Sequence, residues 1–485
     1  MIFNSVTYLL FLLVAVVLYW LLPRRARLLM VLAASVGFYA FWRVEFVALM
    51  LVSAVTDYLA AIGIDRSSSP RRRRLLVALS LCVNLGLLLY FKYLIFFSEN
   101  LWAALELLGL DVPTPAFSII LPLGISFYTF QTISYTIDVY RGFIRPERDF
   151  VLYCCYVTFF PQLVAGPVLR AKEVIHQLAD RAPFNLDHLA VGLRRILYGL
   201  FLKVVLADNI APLVDSGYAQ PVSQLGALDV WTLAFLFGFQ IYFDFSAYSH
   251  IALGSARLMG IRFPENFDFP YVASSPRDFW RRWHISLSSW IRDYLYLPLA
   301  GARVHDRSTG GLAEAARTSR ALSPTRALFV TWAVMGLWHG ANWTFVLWGL
   351  YHALFVFAYR LSLPWLVNLS PRMSRVGGWL VTLPVAMLSW IAFRADNLRD
   401  AFGMYAKLFD PRGYLQLGLR ENAYLITALL LLAMICVYGF RTRVVPILER
   451  HRWAWAATES LAFGGIITMV FVFLRPIVQF IYFQF

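Results

Sequence analysis

The sequence predicts an all-α protein that crosses a membrane many times. Hydrophobic residues make up 60% of its 485 residues and charged residues only 15%, a composition typical of multi-spanning membrane proteins. Apolar runs of about 20 residues, the length that a membrane-spanning helix needs, recur along the chain. These runs predict about eleven transmembrane or re-entrant helices, accompanied by amphipathic helices at the membrane interface.

The distribution of basic residues predicts the orientation in the membrane. Arginines are concentrated in short loops such as residues 23–27 and 66–74, so the net charge of +15 needs no nucleic acid to explain it. Two predicted spans, residues 28–42 and 46–64, separate these loops, which places both on the cytoplasmic side and the N-terminus outside. Residues 5–22 lack the cleavage pattern of a signal peptide and are interpreted as a retained first span.

The four cysteines offer no sign of a metal site or a disulfide framework. They are Cys82, Cys154, Cys155 and Cys436, and all lie in apolar runs without the spacing of zinc ligands. We therefore predict neither a bound metal nor a structural disulfide.

A histidine interrupts the apolar run of residues 326–357. His339 stands in the sequence Gly336-Leu337-Trp338-His339-Gly340-Ala341-Asn342-Trp343. At membrane depth an imidazole needs protein partners, because lipid offers none. Either the ring forms a structural hydrogen bond across the helix bundle, or it is a general base in a protein-lined tunnel, where a neutral imidazole can take a proton from a hydroxyl group.

Polar side chains also line one face of the apolar helix predicted around residues 231–259. Gln240, Asp244 and Tyr248 are spaced at i, i+4 and i+8, so they form a stripe on one helix face. Asp244 is either a structural acid with a hydrogen-bond donor or part of a functional site. Gln131, in the polar run that follows Pro122 and Gly124, is expected to face protein rather than lipid.

Residues 277–294 predict an amphipathic helix in or near the membrane interface. Its apolar positions recur at alternating three and four residues, while Arg282 and other polar residues occupy the remaining faces. Anchoring at the membrane surface explains the row of apolar side chains, many of them aromatic, along this predicted helix. It does not explain His284.

The motifs around these residues resemble the membrane-bound O-acyltransferase family. Trp338-His339-Gly340 with Asn342-Trp343, followed by Leu347-Trp348-Gly349-Leu350 and His352, is similar to the signature of that family. The resemblance extends over residues 121–396 and is greatest to the bacterial branch of alginate O-acetylation and teichoic-acid D-alanylation. One departure is His250, where an acidic residue is expected.

The resemblance implies roles for several residues. His339 is the expected catalytic residue, and His284 is the second recurrent histidine, with a role near the acyl donor. Trp338 and Asn342 are placed to orient the imidazole or to bind a carbonyl oxygen. The polar stripe, Gln131 and Arg282 are expected at the substrate or along a central tunnel.

The resemblance also implies a single acyltransferase domain over residues 1–485, with N-terminal helices in 1–115, a family core in 116–400 and C-terminal helices in 401–485. The acyl group, acetyl above all, would come from acetyl-CoA or an acyl-carrier thioester, with no permanently bound cofactor. Its destination would be an extracytoplasmic polysaccharide, reached through a periplasmic SGNH-type acetyltransferase. The expected location is the bacterial inner membrane. Membrane lipid is a further expected partner, and nucleic acid is not.

The chain ends in Phe480-Ile481-Tyr482-Phe483-Gln484-Phe485. An aromatic belt at the membrane interface would account for this composition. The hexapeptide is also similar to the C-terminal motif of the small membrane subunit that accompanies the D-alanylation protein. On that resemblance, Tyr482 is a candidate acyl carrier and a third catalytic residue.

Three alternatives remain open from the sequence. A transporter for a lipid-linked sugar or small anion also uses polar stripes and broken helices, although no internal repeat is evident. The acyl group could be D-alanyl or another small acyl group. The chain could also be a catalytically idle scaffold for an external acetyltransferase.

Overall fold

The computed structural model describes residues 1, 3–110, 119–164, 166–302, 321–366, 370–476 and 480–481. Within these residues the secondary structure consists of α-helices, short 3-10 helices and short π-helical turns, with no strand. This confirms the predicted all-α class. The chain divides into two compact units, which interleave along the sequence.

The first unit comprises the described residues of 1–196 and 251–264. Its helices are Val6–Leu21, Arg24–Ala40, Glu45–Arg66, Pro70–Leu88, Leu89–Tyr93 (π), Leu94–Leu107, Ile125–Arg141, Phe150–Thr158, Ala171–Ala179 and the first part of Leu186–Leu200.

The second unit comprises the described residues of 197–250, 265–302 and 321–481. Its helices are Phe201–Ala207 (π), Asp208–Tyr218, Val222–Gln224 (3-10), Ala227–Leu258 up to residue 250, Pro270–Val272 (3-10), Pro276–Arg282, Ile285–Ile291, Arg292–Tyr296 (π), Leu297–Leu299, Pro324–His339, Trp343–Leu366, Pro371–Arg394, Leu398–Lys407, Pro411–Leu415 (3-10), Glu421–Gly439, Phe440–Val444 (π), Val445–Leu448 and Arg452–Val472.

Seven helical stretches are long and apolar enough to cross a membrane: Glu45–Arg66, Pro70–Leu107, Ala227–Leu258, Trp343–Leu366, Pro371–Arg394, Glu421–Leu448 and Arg452–Val472. The predicted first span is the shorter apolar helix Val6–Leu21. A multi-pass membrane protein is therefore confirmed. The count of eleven, the orientation of the N-terminus and the division at residues 115 and 400 stay predictions.

The polar core of the first unit shows how this chain satisfies a buried carboxylate in an apolar helix. Asp57, within Glu45–Arg66, is fully buried. It accepts hydrogen bonds from the hydroxyls of Ser80 and Thr136 and from the Asn84 side-chain amide, the last two at 2.5 Å. Three donors replace the water that lipid cannot supply, so the carboxylate is held without a mobile counter-ion.

In the second unit, helices Pro324–His339 and Trp343–Leu366 pack closely through two glycines. A Cβ built on Gly336 would lie 2.2 Å from the carbonyl oxygen of Phe345, and one on Gly349 would lie 2.1 Å from that of Trp332. Small residues at such crossings let helix backbones approach each other. This packing fixes the end of the first helix, and therefore the position of His339.

The amphipathic helix predicted over residues 277–294 is wrong as a continuous helix. The structure has two short helices, Pro276–Arg282 and Ile285–Ile291, separated by His284 in the left-handed conformation at φ 41°. Asn266 causes the break, because its carbonyl oxygen accepts a hydrogen bond from the backbone amide of Ile285 at 2.9 Å. A non-glycine residue at positive φ costs of order 1–3 kcal/mol, which these contacts must offset.

Candidate functional site

His339 is the last residue of helix Pro324–His339. The chain leaves the helix at Gly340, whose backbone is extended. Asn342 then caps the next helix, because its side-chain oxygen accepts a hydrogen bond from the amide of Thr344 at 3.0 Å. The helix-loop-helix geometry therefore places the imidazole at a carbonyl end, where the helix dipole favours positive charge.

Aromatic rings wall in the imidazole of His339, which is 7% exposed. The ring centroids of Trp338 and Trp348 each lie 4.9 Å from that of the imidazole, and the centroid of Phe393 lies 5.4 Å away. Trp348 is fully buried, and its indole N–H has no hydrogen-bond acceptor in the described part of the chain. The site thus holds a base and an N–H donor within an apolar wall.

The side chain of Asn342 forms two hydrogen bonds that stabilise the loop after His339. Besides the cap described above, its amide nitrogen donates to the carbonyl oxygen of Asp396 at 3.1 Å. This contact joins the loop after His339 to the end of helix Pro371–Arg394. Asn342 therefore holds the loop in place through both ends of its amide group.

His284 is oriented by Asn266. The imidazole Nδ1 lies 3.1 Å from the Asn266 side-chain oxygen, which also accepts from the Ser286 hydroxyl at 2.9 Å and the Ser286 amide at 3.3 Å. The same Asn266 donates from its amide nitrogen to the Ser249 hydroxyl at 3.1 Å. Because an oxygen at that position can only accept, Nδ1 carries the proton and Nε2 carries the lone pair.

The surroundings of His284 keep this imidazole neutral. The side chain is 1% exposed, and its ring centroid lies 4.7 Å from that of Phe245. Burial lowers the pKa of His284 to about 3 because water cannot reach the charged form. At physiological pH the ring is a hydrogen-bonding group rather than a cation.

A chain of aromatic contacts connects the two histidines within the second unit. From His284 it passes through Phe267, Trp283, Trp390 and Phe393 to His339. Successive ring centroids lie between 4.8 and 6.4 Å apart. The two motifs are thus parts of one packed aromatic layer.

A third buried histidine of the second unit, which also stands in the sequence motif, has a structural partner. His352 is fully buried, and its Nε2 lies 3.0 Å from the Ser389 hydroxyl. Ser389 donates its own proton to the carbonyl oxygen of Ala386 at 2.6 Å, so His352 is the donor to Ser389. Its ring also stacks with that of Trp332 at 5.5 Å. A structural hydrogen bond across helices accounts for this residue.

Asp244, at the centre of the predicted polar stripe, belongs to a buried ionic cluster. Its Oδ1 lies 2.7 Å from Lys203 Nζ, and Asp208 Oδ1 lies 2.8 Å from the same ammonium group. Lys203 is 1% exposed, so its side chain lies inside the protein. Two carboxylates hold it inside, and a buried cation of this kind needs such partners.

The C-terminal segment contacts this cluster. Asp244 Oδ2 accepts a hydrogen bond from the backbone amide of Ile481 at 2.7 Å. The ring centroid of Phe480 lies 4.6 Å from Lys203 Nζ and 5.1 Å from the ring of Tyr248. Phe480 and Ile481 are both buried. Tyr482, the predicted acyl carrier, lies outside the described residues.

The remaining predicted residues occupy different environments. Gln240 is 8% exposed, and its Oε1 has no hydrogen-bond partner in the described part of the chain. Arg282 pairs with Asp278 at 2.9 Å and with Asp268 at 3.3 Å, so it holds a loop. Gln131 belongs to the first unit, where it donates to the carbonyl oxygen of Tyr156 at 2.7 Å.

The structure therefore forms two groupings in the second unit. Trp338 and His339 lie together, whereas Asp244 and Tyr248 lie together against the C-terminal segment. Among the described residues, His, Cys, Asp and Glu side chains form no group of three or more that could hold a metal ion.

Membrane-length helices and a buried imidazole between tryptophans define a multi-pass membrane protein with a buried polar site. The model of the membrane-bound O-acyltransferase family matches residues 145–395, and the chain belongs to this family. It is therefore an O-acyltransferase. The match contains His284 and His339.

Two curated relatives named for O-acetylation cover most of the chain, and one named for D-alanyl transfer covers about half of it. The probable alginate O-acetylase AlgI of Azotobacter vinelandii is 39% identical over 96% of this chain and 90% of that protein. The peptidoglycan O-acetyltransferase of Helicobacter pylori is 35% identical over 76% of this chain and 71% of that protein. The teichoic acid D-alanyltransferase of Streptococcus thermophilus is 31% identical over 48% of this chain and 55% of that protein.

Proposed function

We propose that the protein transfers an acetyl group from a cytoplasmic thioester to an extracytoplasmic polysaccharide, with His339 as the general base. The observation that carries this proposal is the buried imidazole of His339, walled by Trp338, Trp348 and Phe393. The names of the alginate and peptidoglycan relatives support acetyl as the acyl group and a cell-surface polysaccharide as its destination. The inner membrane is the corresponding location, with the N-terminus outside.

The reaction at His339 begins with proton transfer. The neutral imidazole takes the proton of the acceptor hydroxyl as its oxygen attacks the thioester carbonyl, and the proton then passes to the departing thiolate. General base catalysis of this kind contributes roughly 10²–10⁴-fold. Positive charge that develops on the ring lies at the carbonyl end of helix Pro324–His339, where the dipole stabilises it.

The indole N–H of Trp348 is suited to stabilise the negative charge that forms during the reaction. Negative charge develops on the thioester carbonyl oxygen during attack, and N–H donors aimed at that oxygen lower the barrier. The buried Trp348 indole N–H has no acceptor in the described part of the chain, and its ring lies against His339. We assign it to the developing oxyanion.

Tyr482 would receive the acyl group first. Its phenol oxygen would attack the thioester, forming an aryl ester and releasing the thiol, after His339 removes the phenol proton. A phenol, with an ordinary pKa near 10, is a better leaving group than a sugar hydroxyl, so the ester can pass its acyl group onward. Phe480 and Ile481, which precede Tyr482 in sequence, contact Lys203 and Asp244.

Two partners follow from this scheme. The donor is acetyl-CoA or an acyl-carrier thioester, of which only the acyl group crosses the membrane. A periplasmic SGNH-type acetyltransferase would take the group from Tyr482 to a polymer hydroxyl. No bound cofactor is needed for either step.

The test uses the purified full chain and acetyl-labelled coenzyme A. Wild-type protein should acquire label on the C-terminal peptide, and Tyr482→Phe should not. The control is Tyr90→Phe, which removes a phenol that is 53% exposed elsewhere in the chain. If cells that carry Tyr482→Phe acetylate their polymer as fully as the wild type, the carrier role is refuted.

A further inference from the structure

A cleft of about 680 Å³ lies within the first unit, away from every residue assigned above. It is formed by the segment that links helices Ala171–Ala179 and Leu186–Leu200 and by the turn after helix Ala227–Leu258. Its polar lining includes Gln177, Asn185, Asp187, His188, Arg257 and Arg262. Neither the sequence motifs nor the proposed acyl transfer accounts for it.

Reciprocal contacts give the cleft a defined shape. Gln177 donates to the carbonyl oxygen of Arg262 at 3.0 Å and accepts from the amide of Arg262 at 2.8 Å. Gly260 turns the chain with a φ of 76°, which glycine adopts without strain. Trp20 supports this turn from behind, since its indole N–H donates to the carbonyl oxygen of Leu258 at 2.9 Å.

One guanidinium group in the cleft has nitrogen atoms that are buried without a hydrogen-bond partner in the described part of the chain. These are the Nε and Nη1 atoms of Arg257. Arg257 interacts electrostatically with the like charges of Arg262 and Arg195 and with one carboxylate, that of Asp187. Buried donors among like charges are costly unless an anion satisfies them.

The N-terminus of helix Leu186–Leu200 adds to the positive electrostatic potential of the cleft. Asn185 caps it, since its side-chain oxygen accepts from the amide of Asp187 at 2.9 Å. Helix N-termini carry a partial positive charge and favour anions. Asp187 is the opposing carboxylate, and Arg257 and Arg262 outnumber it in the lining.

His188 supplies a polar atom that a ligand would satisfy. Its side chain is 7% exposed and its ring stacks on Trp20 at 6.3 Å, yet Nδ1 has no hydrogen-bond partner among the described residues. Burial, followed by the charges of Arg257 and Arg262, lowers the pKa of His188. A neutral imidazole beside two arginines can exchange one hydrogen bond with a polar ligand atom.

We propose that this cleft binds the phosphate of an organic phosphate, with Arg257 and Arg262 on the phosphate oxygens and His188 on an adjoining polar atom. Guanidinium groups recognise phosphate through paired, charge-assisted hydrogen bonds. The volume exceeds that of phosphate alone, which leaves room for an organic group on the ligand. Both a soluble nucleotide and an anionic phospholipid headgroup have this chemistry, and the proposal stands independently of the acyl-transfer scheme.

The test measures binding to the full chain purified in detergent and freed of lipid. One arm titrates adenosine 3′,5′-bisphosphate by calorimetry, and the other counts bound phosphatidylglycerol by native mass spectrometry. The double substitution Arg257→Gln with Arg262→Gln should weaken binding by at least roughly tenfold, since two charge-assisted contacts are lost. The matched control, Arg71→Gln with Arg74→Gln, removes the same charge from the exposed first turns of helix Pro70–Leu88 and should bind as the wild type does.

A variant that is expected to bind more tightly serves as a second test, because misfolding cannot account for a gain in affinity. Asp187→Asn removes the opposing carboxylate and should tighten binding by several-fold at low salt, because repulsion of the phosphate is relieved. Nucleotide binding supports a soluble ligand, and binding of phosphatidylglycerol alone supports a headgroup site. Failure of both probes to bind, or equal binding by the double variant and its control, overturns the proposal.

Discussion

Asp244 accepts a hydrogen bond from the backbone amide of Ile481 at 2.7 Å, deep within the second unit. The other oxygen of this carboxylate pairs with Lys203, which pairs in turn with Asp208. The cluster contains two carboxylates for one ammonium group, and the backbone N–H of the C-terminal segment supplies the additional donor. An ion cluster thereby holds the residue that precedes Tyr482.

This relationship predicts different results for the two aspartates. Removing either leaves a neutral pair with Lys203, but only Asp244→Ala removes the contact to Ile481. We expect Asp244→Ala to reduce labelling of the C-terminal peptide by roughly tenfold, the effect of one lost charge-assisted hydrogen bond at about 1.5 kcal/mol. Asp208→Ala is the matched control and should label close to the wild-type level.

The measurement is the initial rate of peptide labelling at saturating acetyl-coenzyme A, together with the melting temperature of each variant. Similar melting temperatures with unequal labelling would support the anchoring role. Equal labelling by the two alanine variants would contradict it.

Trp348 offers a substitution that removes one N–H and keeps a ring. Trp348→Phe should lower the maximal rate of thioester turnover by roughly 10²-fold, the usual effect of deleting one oxyanion donor. The effect should fall on kcat rather than on KM, because the hydrogen bond strengthens as negative charge develops. Trp365→Phe, at a position 74% exposed, is the control. A normal kcat in Trp348→Phe would remove the indole from the mechanism.

The close helix crossing predicts a stability difference between two glycines. Gly349→Ala places a Cβ 2.1 Å from the carbonyl oxygen of Trp332, whereas a Cβ at Gly464 meets nothing within 4 Å. Overpacking of this kind costs about 1–3 kcal/mol, so Gly349→Ala should melt at a lower temperature. Gly464→Ala, also in a helix interior, should be neutral or stabilising by up to about 1 kcal/mol. Identical melting curves for the two variants would argue against the packing described.

His284 predicts a pH dependence of stability. Its folded pKa is about 3, below the ordinary value of 6.5, so protonation favours the unfolded state. Stability from this group is present above about pH 6.5 and is lost as the pH falls towards 3. At about pH 5 the loss is about 2 kcal/mol, from 1.36 kcal/mol per pH unit.

The measurement compares melting temperatures of wild type and His284→Gln in detergent between about pH 7.5 and about pH 5. The wild type should lose more stability on acidification than the variant does. His451→Gln, at an exposed position, should keep the wild-type pH dependence. A variant that is as acid-sensitive as the wild type would show that His284 does not stay neutral in the fold.

Hydrophobicity and periodicity predicted the features that depend on local sequence. Apolar runs identified the membrane helices, and the spacing of Gln240, Asp244 and Tyr248 placed them on one face of a helix. The apolar run of residues 326–357 is interrupted at His339, and helix Pro324–His339 ends there. Each of these follows from the length of a span or the pitch of a helix.

The features that the sequence did not predict depend on partners distant in the chain. Lys203 is held inside because it pairs with Asp244, which lies 41 residues away in sequence. The break at His284 depends on Asn266, whose hydrogen bonds override the amphipathic pattern of residues 277–294. No periodicity within either segment carries that information.

Thioester turnover by the purified protein shows whether His339 performs the chemistry. With acetyl-labelled coenzyme A, His339→Asn should lower thioester cleavage by roughly 10²–10⁴-fold while the melting temperature stays near that of wild type. His451→Asn, an exposed histidine, should retain full turnover. A folded His339→Asn protein that cleaves the thioester at the wild-type rate would contradict the account.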